Sequence, residues 1–310
     1  MTEASCALAI GNFDGVHLGH QKLLADTVSY ARNHNLVPAT LTFYPHPTVV
    51  VAPDRVPLLL CSLEERIRLI KATGIQQVFV IPFTAELAAL TPREFVRDFL
   101  VERFCARALF VGDNFRFGVK KAGTTETLRE LAPEFGFEPR FLAPVTFRGE
   151  VVSSSAIRSH IANGQIYRAN RLLGRVFSVS GKVVTGHGIG SRQTVPTLNL
   201  DPEPERIIPR GVYVSEILEL PNGRRWESIT NAGTRPTFNG KELTVETFLL
   251  SPFEEPAPSE IEVRFHHFIR PERHFPDSQS LKSQIFKDIA RARSYWRHLR
   301  ALATRIPSIY

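Results

Sequence analysis

With 310 residues, 43% of them apolar and 22% charged, the chain suits a globular protein long enough for two domains. No apolar run approaches the ~20 residues of a membrane-spanning helix, and three scattered cysteines without a C-x-x-C indicate neither a disulfide framework nor a zinc site. The net charge of +7 suits small polyphosphates as well as nucleic acid, and Met1-Thr2-Glu3-Ala4-Ser5 has no basic run, so a cytoplasmic protein is expected.

Cys6 to Ile10 reads as a buried first strand. Gly11-Asn12-Phe13-Asp14-Gly15-Val16-His17-Leu18-Gly19-His20 follows, and Gln21 to Asn33 carries Leu23, Leu24, Val28 and Ala31 at helical spacing. Glycine lets backbone approach a ligand closely, and the N-terminus of a helix offers N–H groups and a positive dipole to phosphate. His17 and His20, three apart, fall on one face of a helical turn, where two imidazoles can stabilise charge on a nucleoside triphosphate. Leu36 to Phe43 is a second strand, stopped by Tyr44-Pro45-His46-Pro47. Ser62-Leu63-Glu64-Glu65 opens a helix to Ala72 with a capping-box pattern, and Thr91-Pro92 starts another after a strand at Val78–Pro82. Ala108 to Gly112 is a further strand, leading into Asn114-Phe115-Arg116-Phe117-Gly118. Alternating strands and helices predict a doubly wound, Rossmann-like α/β domain over residues 1–172, with its site along one sheet edge. Ser153-Ser154-Ser155-Ala156-Ile157-Arg158 suits both a helix N-cap and pyrophosphate recognition.

After Leu173 the pattern changes to short strands and turns, at Val176–Val179, Gly181–Thr185, Val212–Leu220, Trp226–Thr230, Leu243–Leu250 and Ile261–Ile269. A small antiparallel β-barrel over residues 173–310 is expected. A closing helix at about Ser280–Ala303 has an apolar stripe of Leu281, Ile285, Ile289, Ala292, Trp296, Leu299 and Ala303. Seven Lys or Arg against the single acid Asp288 between Ser278 and Tyr310 predict a docked helix with a solvated basic face.

The ten-residue turn resembles the H-x-G-H signature of nucleotidyltransferases in the form typical of prokaryotic FAD synthetases. Thr42–Pro47, Asn114–Gly118 and Ser153–Arg158 resemble that family's further motifs, with Ser155 where threonine is usual. The resemblance implies that Gly11, Asn12, Phe13, Asp14, Gly15, Gly19, Ser154, Ser155 and Arg158 bind ATP, that His17 and His20 are catalytic, and that His46, Asn114, Phe115 and Phe117 meet the flavin. Read alone, Phe115 and Phe117 are as well explained as core rings. The second half resembles riboflavin kinases through Gly181, Gly186, Gly188 and Gly190, Pro196-Thr197-Leu198-Asn199, Asn231–Phe238, Thr244–Thr247, Ile269–Glu272 and Leu281–Asp288. Those four glycines are thereby implied to face ATP, Thr197 and Asn199 to hold Mg²⁺, and Glu246 to take the proton of the ribityl hydroxyl. Gly190-Ser191-Arg192-Gln193-Thr194-Val195 departs from the family's G-R-x-L-G-x.

Together the resemblances imply bifunctional flavin synthesis: riboflavin and ATP to FMN, then FMN and ATP to FAD and pyrophosphate. The partners implied are these small molecules, without nucleic acid or membrane. The alternative is an H-x-G-H nucleotidyltransferase with an inert barrel. A basic nucleic-acid-binding protein ranks behind both, because the excess charge lies on one amphipathic helix and is not interleaved with aromatic residues on strands.

Overall fold

The computed structural model describes residues 5–184, 197–237, 240–251 and 257–305. Two compact units divide the chain, Met1–Ser154 and Ser155–Tyr310.

The first unit runs β1 (Cys6–Ile10), α1 (Leu18–Asn33), β2 (Val37–Phe43), α2 (Thr48–Val51), α3 (Leu63–Ala72), β3 (Gln77–Ile81), α4 (Ala85–Ala89), α5 (Pro92–Glu94) with a π-helical continuation at Phe95–Arg103, β4 (Ala106–Gly112), α6 (Thr125–Phe135) and β5 (Glu138–Leu142). A two-stranded hairpin, β6 (Thr146–Phe147) and β7 (Glu150–Val151), follows. The five longer strands form one parallel sheet in the order β3-β2-β1-β4-β5. β1 is apolar at every position because both its faces are covered: Cys6, Leu8 and Ile10 join one core cluster, Ala7 and Ala9 the other. The strand order reverses beside β1, so the turns after β1 and β4 flank the switch point where doubly wound sheets bind ligands. The predicted caps are present, Ser62 accepting from the Glu65 N–H and Thr91 forming a reciprocal box with Glu94. The sequence reading did not include α6 and β5; Glu138–Leu142 is a half-exposed edge strand without a continuous apolar run.

The second unit opens with α7 (Ser154–Ala162, whose first residue belongs to the preceding unit) and α8 (Ile166–Leu173). β8 (Phe177–Val184), β9 (Thr197–Pro202), β10 (Gly211–Glu219), β11 (Arg225–Thr237), β12 (Gly240–Leu249) and β13 (Glu260–Arg270) close a barrel in the order β10-β11-β12-β9-β8-β13, followed by α9 (Ser278–Arg305). The two short runs expected around Ser180 are one strand, with Gly181 inside it. A side chain at Gly181 would put Cβ 2.3 Å from the Asp201 carbonyl oxygen, so strand packing alone requires glycine there. β9 carries Thr197-Leu198-Asn199 of the Pro196–Asn199 motif into the sheet, a strand that the sequence pattern does not mark; Pro196 lies outside the described residues.

α8 buries Ile166, Ala169, Leu172 and Leu173, and the Asn170 side chain donates to the Phe265 carbonyl and accepts from the Phe177 N–H. The pattern change after residue 172 therefore follows a helix already bonded to barrel strands. α9 docks through Ile289, Ala292 and Trp296 on Val212, Val214 and Ile229, while Leu281 at its start is exposed. Asp288, the single acid of that region, is buried against Arg270 at 2.9 Å, which leaves the outer face basic.

Candidate active sites

The first site is built at the C-terminal ends of β1 and β2. Its turn is contorted: Phe13, Gly15 and Val16 have φ of 49°, 78° and 38°, so two bulky side chains stand in the left-handed region. The turn is held by its neighbours. The Asp14 carboxylate accepts from the backbone N–H of Leu60 and Cys61 at 2.9 and 3.3 Å, and the Gly15 N–H reaches the Cys61 sulfur at 3.1 Å. Asp14 thus acts within the turn as a buttress.

His17 is the N-cap of α1, its Nδ1 accepting from the His20 N–H at 3.3 Å. A neutral His17 with Nδ1 as acceptor carries its proton on Nε2. The rings of His17 and His20 stack at 3.6 Å and 14°, and a Cβ at Gly19 would lie 3.2 Å from the His17 ring, so glycine makes room for the stack. Burial first, then the positive charges of His17 and Arg66, pushes His20 well below the usual histidine range; its ring therefore stays neutral near pH 7.

Thr42, His46 and Ser154 of the other motifs reach this turn. The Asn12 side-chain nitrogen lies 3.2 Å from His46 Nε2, and the Thr42 hydroxyl donates to the Asn12 carbonyl. The Ser154 hydroxyl donates to the Asp14 carbonyl at 2.9 Å. Ser155 is exposed and Arg158 half-buried on α7. Asn114 is exposed beyond β4. Phe115 and Phe117 stack at 5.5 Å and 17°; Phe117 is buried among core residues, while Phe115 is half-buried.

The second site is set by strand register. Glu246 on β12 is directly opposite Asn199 on β9 and Asn231 on β11. Directly opposed residues share a face of the sheet with Cβ atoms roughly 4.5–5.5 Å apart. Thr197, two residues from Asn199, is on that face as well. Val245, Thr247, Leu198 and Leu200 alternate with these residues and are buried; Glu246, Asn199, Thr197 and Asn231 are half-buried. The row therefore faces away from the barrel interior, where Ser215, Ser228, Thr230 and Thr247 satisfy one another at 2.7–2.9 Å. Asn231 received no role from the sequence, since nothing in its spacing shows that β11 runs beside β12. Gly186, Gly188, Gly190 and the unusual stretch Ser191–Val195 lie outside the described residues.

A strand–turn–helix carrying two stacked histidines and a barrel face joining a carboxylate to amide and hydroxyl groups suit a two-part phosphotransfer enzyme. Comparison with known proteins gives the family. Residues 1–156 match the FAD synthetase family model and residues 173–296 the riboflavin kinase model. The bifunctional riboflavin kinase/FMN adenylyltransferase of Escherichia coli K12 is 35% identical over 95% of this chain and 94% of its own. Its counterpart in Bacillus subtilis is 32% identical over 96% and 95%. A crystal structure described as a macrolide-efflux protein from Streptococcus pneumoniae aligns with a TM-score of 0.84 at 27% identity, covering 93% of this chain and 94% of that one. Its description stays with that protein; among the described residues here, no helix is long and apolar enough to cross a membrane. The chain belongs to the bifunctional riboflavin kinase/FMN adenylyltransferase family. It makes FMN from riboflavin and FAD from FMN, with ATP as co-substrate.

Proposed function

We propose that residues 1–172 carry out adenylyl transfer and residues 173–310 the kinase reaction, as a cytoplasmic enzyme whose partners are these small molecules and not nucleic acid. In the first reaction a phosphate oxygen of FMN attacks the α-phosphorus of ATP. The bond from the α-phosphorus to the bridging oxygen breaks, and its electron pair leaves with pyrophosphate. Gly11, Asn12, Phe13, Gly15 and Gly19 frame the phosphates, Asp14 holds that frame, and Ser154, Ser155 and Arg158 add hydroxyl and guanidinium donors. His17 and His20 stabilise the charge that develops. His46, Asn114 and Phe115 face the flavin, with the buried Phe117 supporting Phe115.

In the kinase reaction the ribityl 5′-oxygen attacks the γ-phosphorus, the bond to ADP breaks, and the hydroxyl proton passes to Glu246. Gly181, Gly186, Gly188 and Gly190 are assigned to the ATP-facing side. The Thr197 hydroxyl and Asn199 carbonyl are hard oxygen donors on one face beside Glu246, a set that fits Mg²⁺, and they would hold it. The ion would neutralise phosphate charge when bound. The observation that carries this reading is the direct opposition of Glu246 and Asn199 across β12 and β9. Asn199→Ala should raise the KM for Mg-ATP in FMN formation about tenfold, as for loss of a charge-assisted contact worth ~1.4 kcal/mol. Excess Mg²⁺ should recover part of the loss. An unchanged KM would remove Asn199 from the site.

A further inference from the structure

His46 is held at both edges of its ring. Thr48, the first residue of α2, brings its backbone N–H to 3.3 Å and its hydroxyl to 2.6 Å from Nδ1, and the Asn12 amide lies 3.2 Å from Nε2. A backbone N–H can only donate, so Nδ1 is the acceptor and a neutral ring carries its proton on Nε2. The Thr48 hydroxyl is free to rotate and adds a second, closer donor to Nδ1. The opposite tautomer would set Nδ1–H against the Thr48 N–H. Asn12 must then meet Nε2–H with its oxygen, and the half-turn that exchanges amide oxygen and nitrogen sends the NH2 to the other side. The backbone of Asn12 is fixed separately, its carbonyl accepting from the Thr42 hydroxyl at 3.1 Å. Its half-buried side chain makes no further hydrogen bond among the described residues.

We propose that Thr48 is a positioning residue for adenylyl transfer: through the tautomer of His46 it turns the NH2 of Asn12, and not its oxygen, toward the phosphates of ATP. An amide NH2 donates to a phosphate oxygen, whereas an amide oxygen in the same place would repel it. Thr48 thus selects between a donor and an acceptor two side chains away. The ring edges of His46 serve this relay and its face is left to the flavin. The inference rests on the reading that Asn12 frames the phosphates.

The full-length enzyme tests it in two ways. The first needs no turnover: with nitrogen-15 in its histidines, the protein is observed by long-range proton–nitrogen correlation at about pH 8, above the ordinary histidine range. The pattern missing from His46→Gln identifies His46, which should carry its proton on Nε2. A proton on Nδ1 would overturn the proposal. The second is the kinetics of FAD formation from FMN. Thr48→Val, of equal size but without the hydroxyl, should raise KM for ATP about fivefold, the size of one lost hydrogen bond. Its kcat should stay within about twofold of wild type, which also reports an intact fold. Thr48→Ser should return KM to the wild-type value. Asn12→Ala should raise KM for ATP about tenfold, as for loss of a charge-assisted contact. Adding Thr48→Val to Asn12→Ala should change nothing further, because both act on one contact. Losses that multiply in the double variant would make Thr48 merely structural and overturn the proposal. A wild-type KM in Asn12→Ala would remove Asn12 from the phosphates, and the role of Thr48 with it. A raised KM there beside a wild-type KM in Thr48→Val would remove Thr48 alone.

Discussion

In the α/β unit the site is assembled from turns that leave the strands, whereas in the barrel it lies on the strands themselves. The first arrangement places Asn12, His17 and His46 by loop conformation and His20 on the first turn of α1, and the loop is held by backbone bonds to Asp14 and by positive φ at Phe13, Gly15 and Val16. The second places Thr197, Asn199, Asn231 and Glu246 by hydrogen-bond register, with no special backbone at any of them. Such a difference decides what breaks each site: a local change of turn in the first, a slip of register in the second.

The sharpest way to break the comparison is Glu246→Gln. The amide keeps size and hydrogen bonding but cannot accept the proton, so FMN formation should fall ~10²–10⁴-fold, the range of a general base. Conversion of added FMN to FAD should be unchanged, measured by chromatography of the products. Next comes His20→Ala, which should lower FAD formation ~10²–10³-fold and leave FMN formation intact.

These two variants address the parts that were legible in the sequence. The ten-residue turn could be read because its residues are contiguous and follow an unbroken apolar strand, Cys6–Ile10. Glu246 and Asn199 were each named through motifs, but their opposition was not visible, since strands 47 residues apart in sequence carry no mark of adjacency. Asn231 went unassigned for the same reason. Glu138–Leu142 escaped because an edge strand with half-exposed faces lacks the apolar run that revealed β1 and β4.

Two stability changes sharpen the contrast within the barrel. Asp288→Ala leaves Arg270 buried without its 2.9 Å partner and should cost about 3–5 kcal/mol in urea unfolding of the full chain. Glu227→Ala breaks the exposed pair with Arg300 and should cost within ~1 kcal/mol. A smaller effect is expected from His266 on β13, whose ring lies 4.8 Å from Trp296. Burial, followed by the charge of Arg264, pushes His266 down to about 4 from 6.5. The folded state thus binds this proton less readily than the unfolded chain. The stability contributed by the neutral ring is present above pH 6.5 and is lost as pH falls toward 4. His266→Phe should flatten the thermal-unfolding profile across that window; an unchanged slope would place the acid sensitivity elsewhere.

The most direct test of two independent sites in one chain is complementation between the two active-site variants. Each is given riboflavin and ATP, alone and as an equimolar mixture, and the flavins are separated by chromatography. His20→Ala alone should stop at FMN, Glu246→Gln alone should leave riboflavin unconverted, and the mixture should make FAD from FMN released by one variant and used by the other. Loss of both steps in either single variant, or a mixture that makes no FAD, would contradict the account.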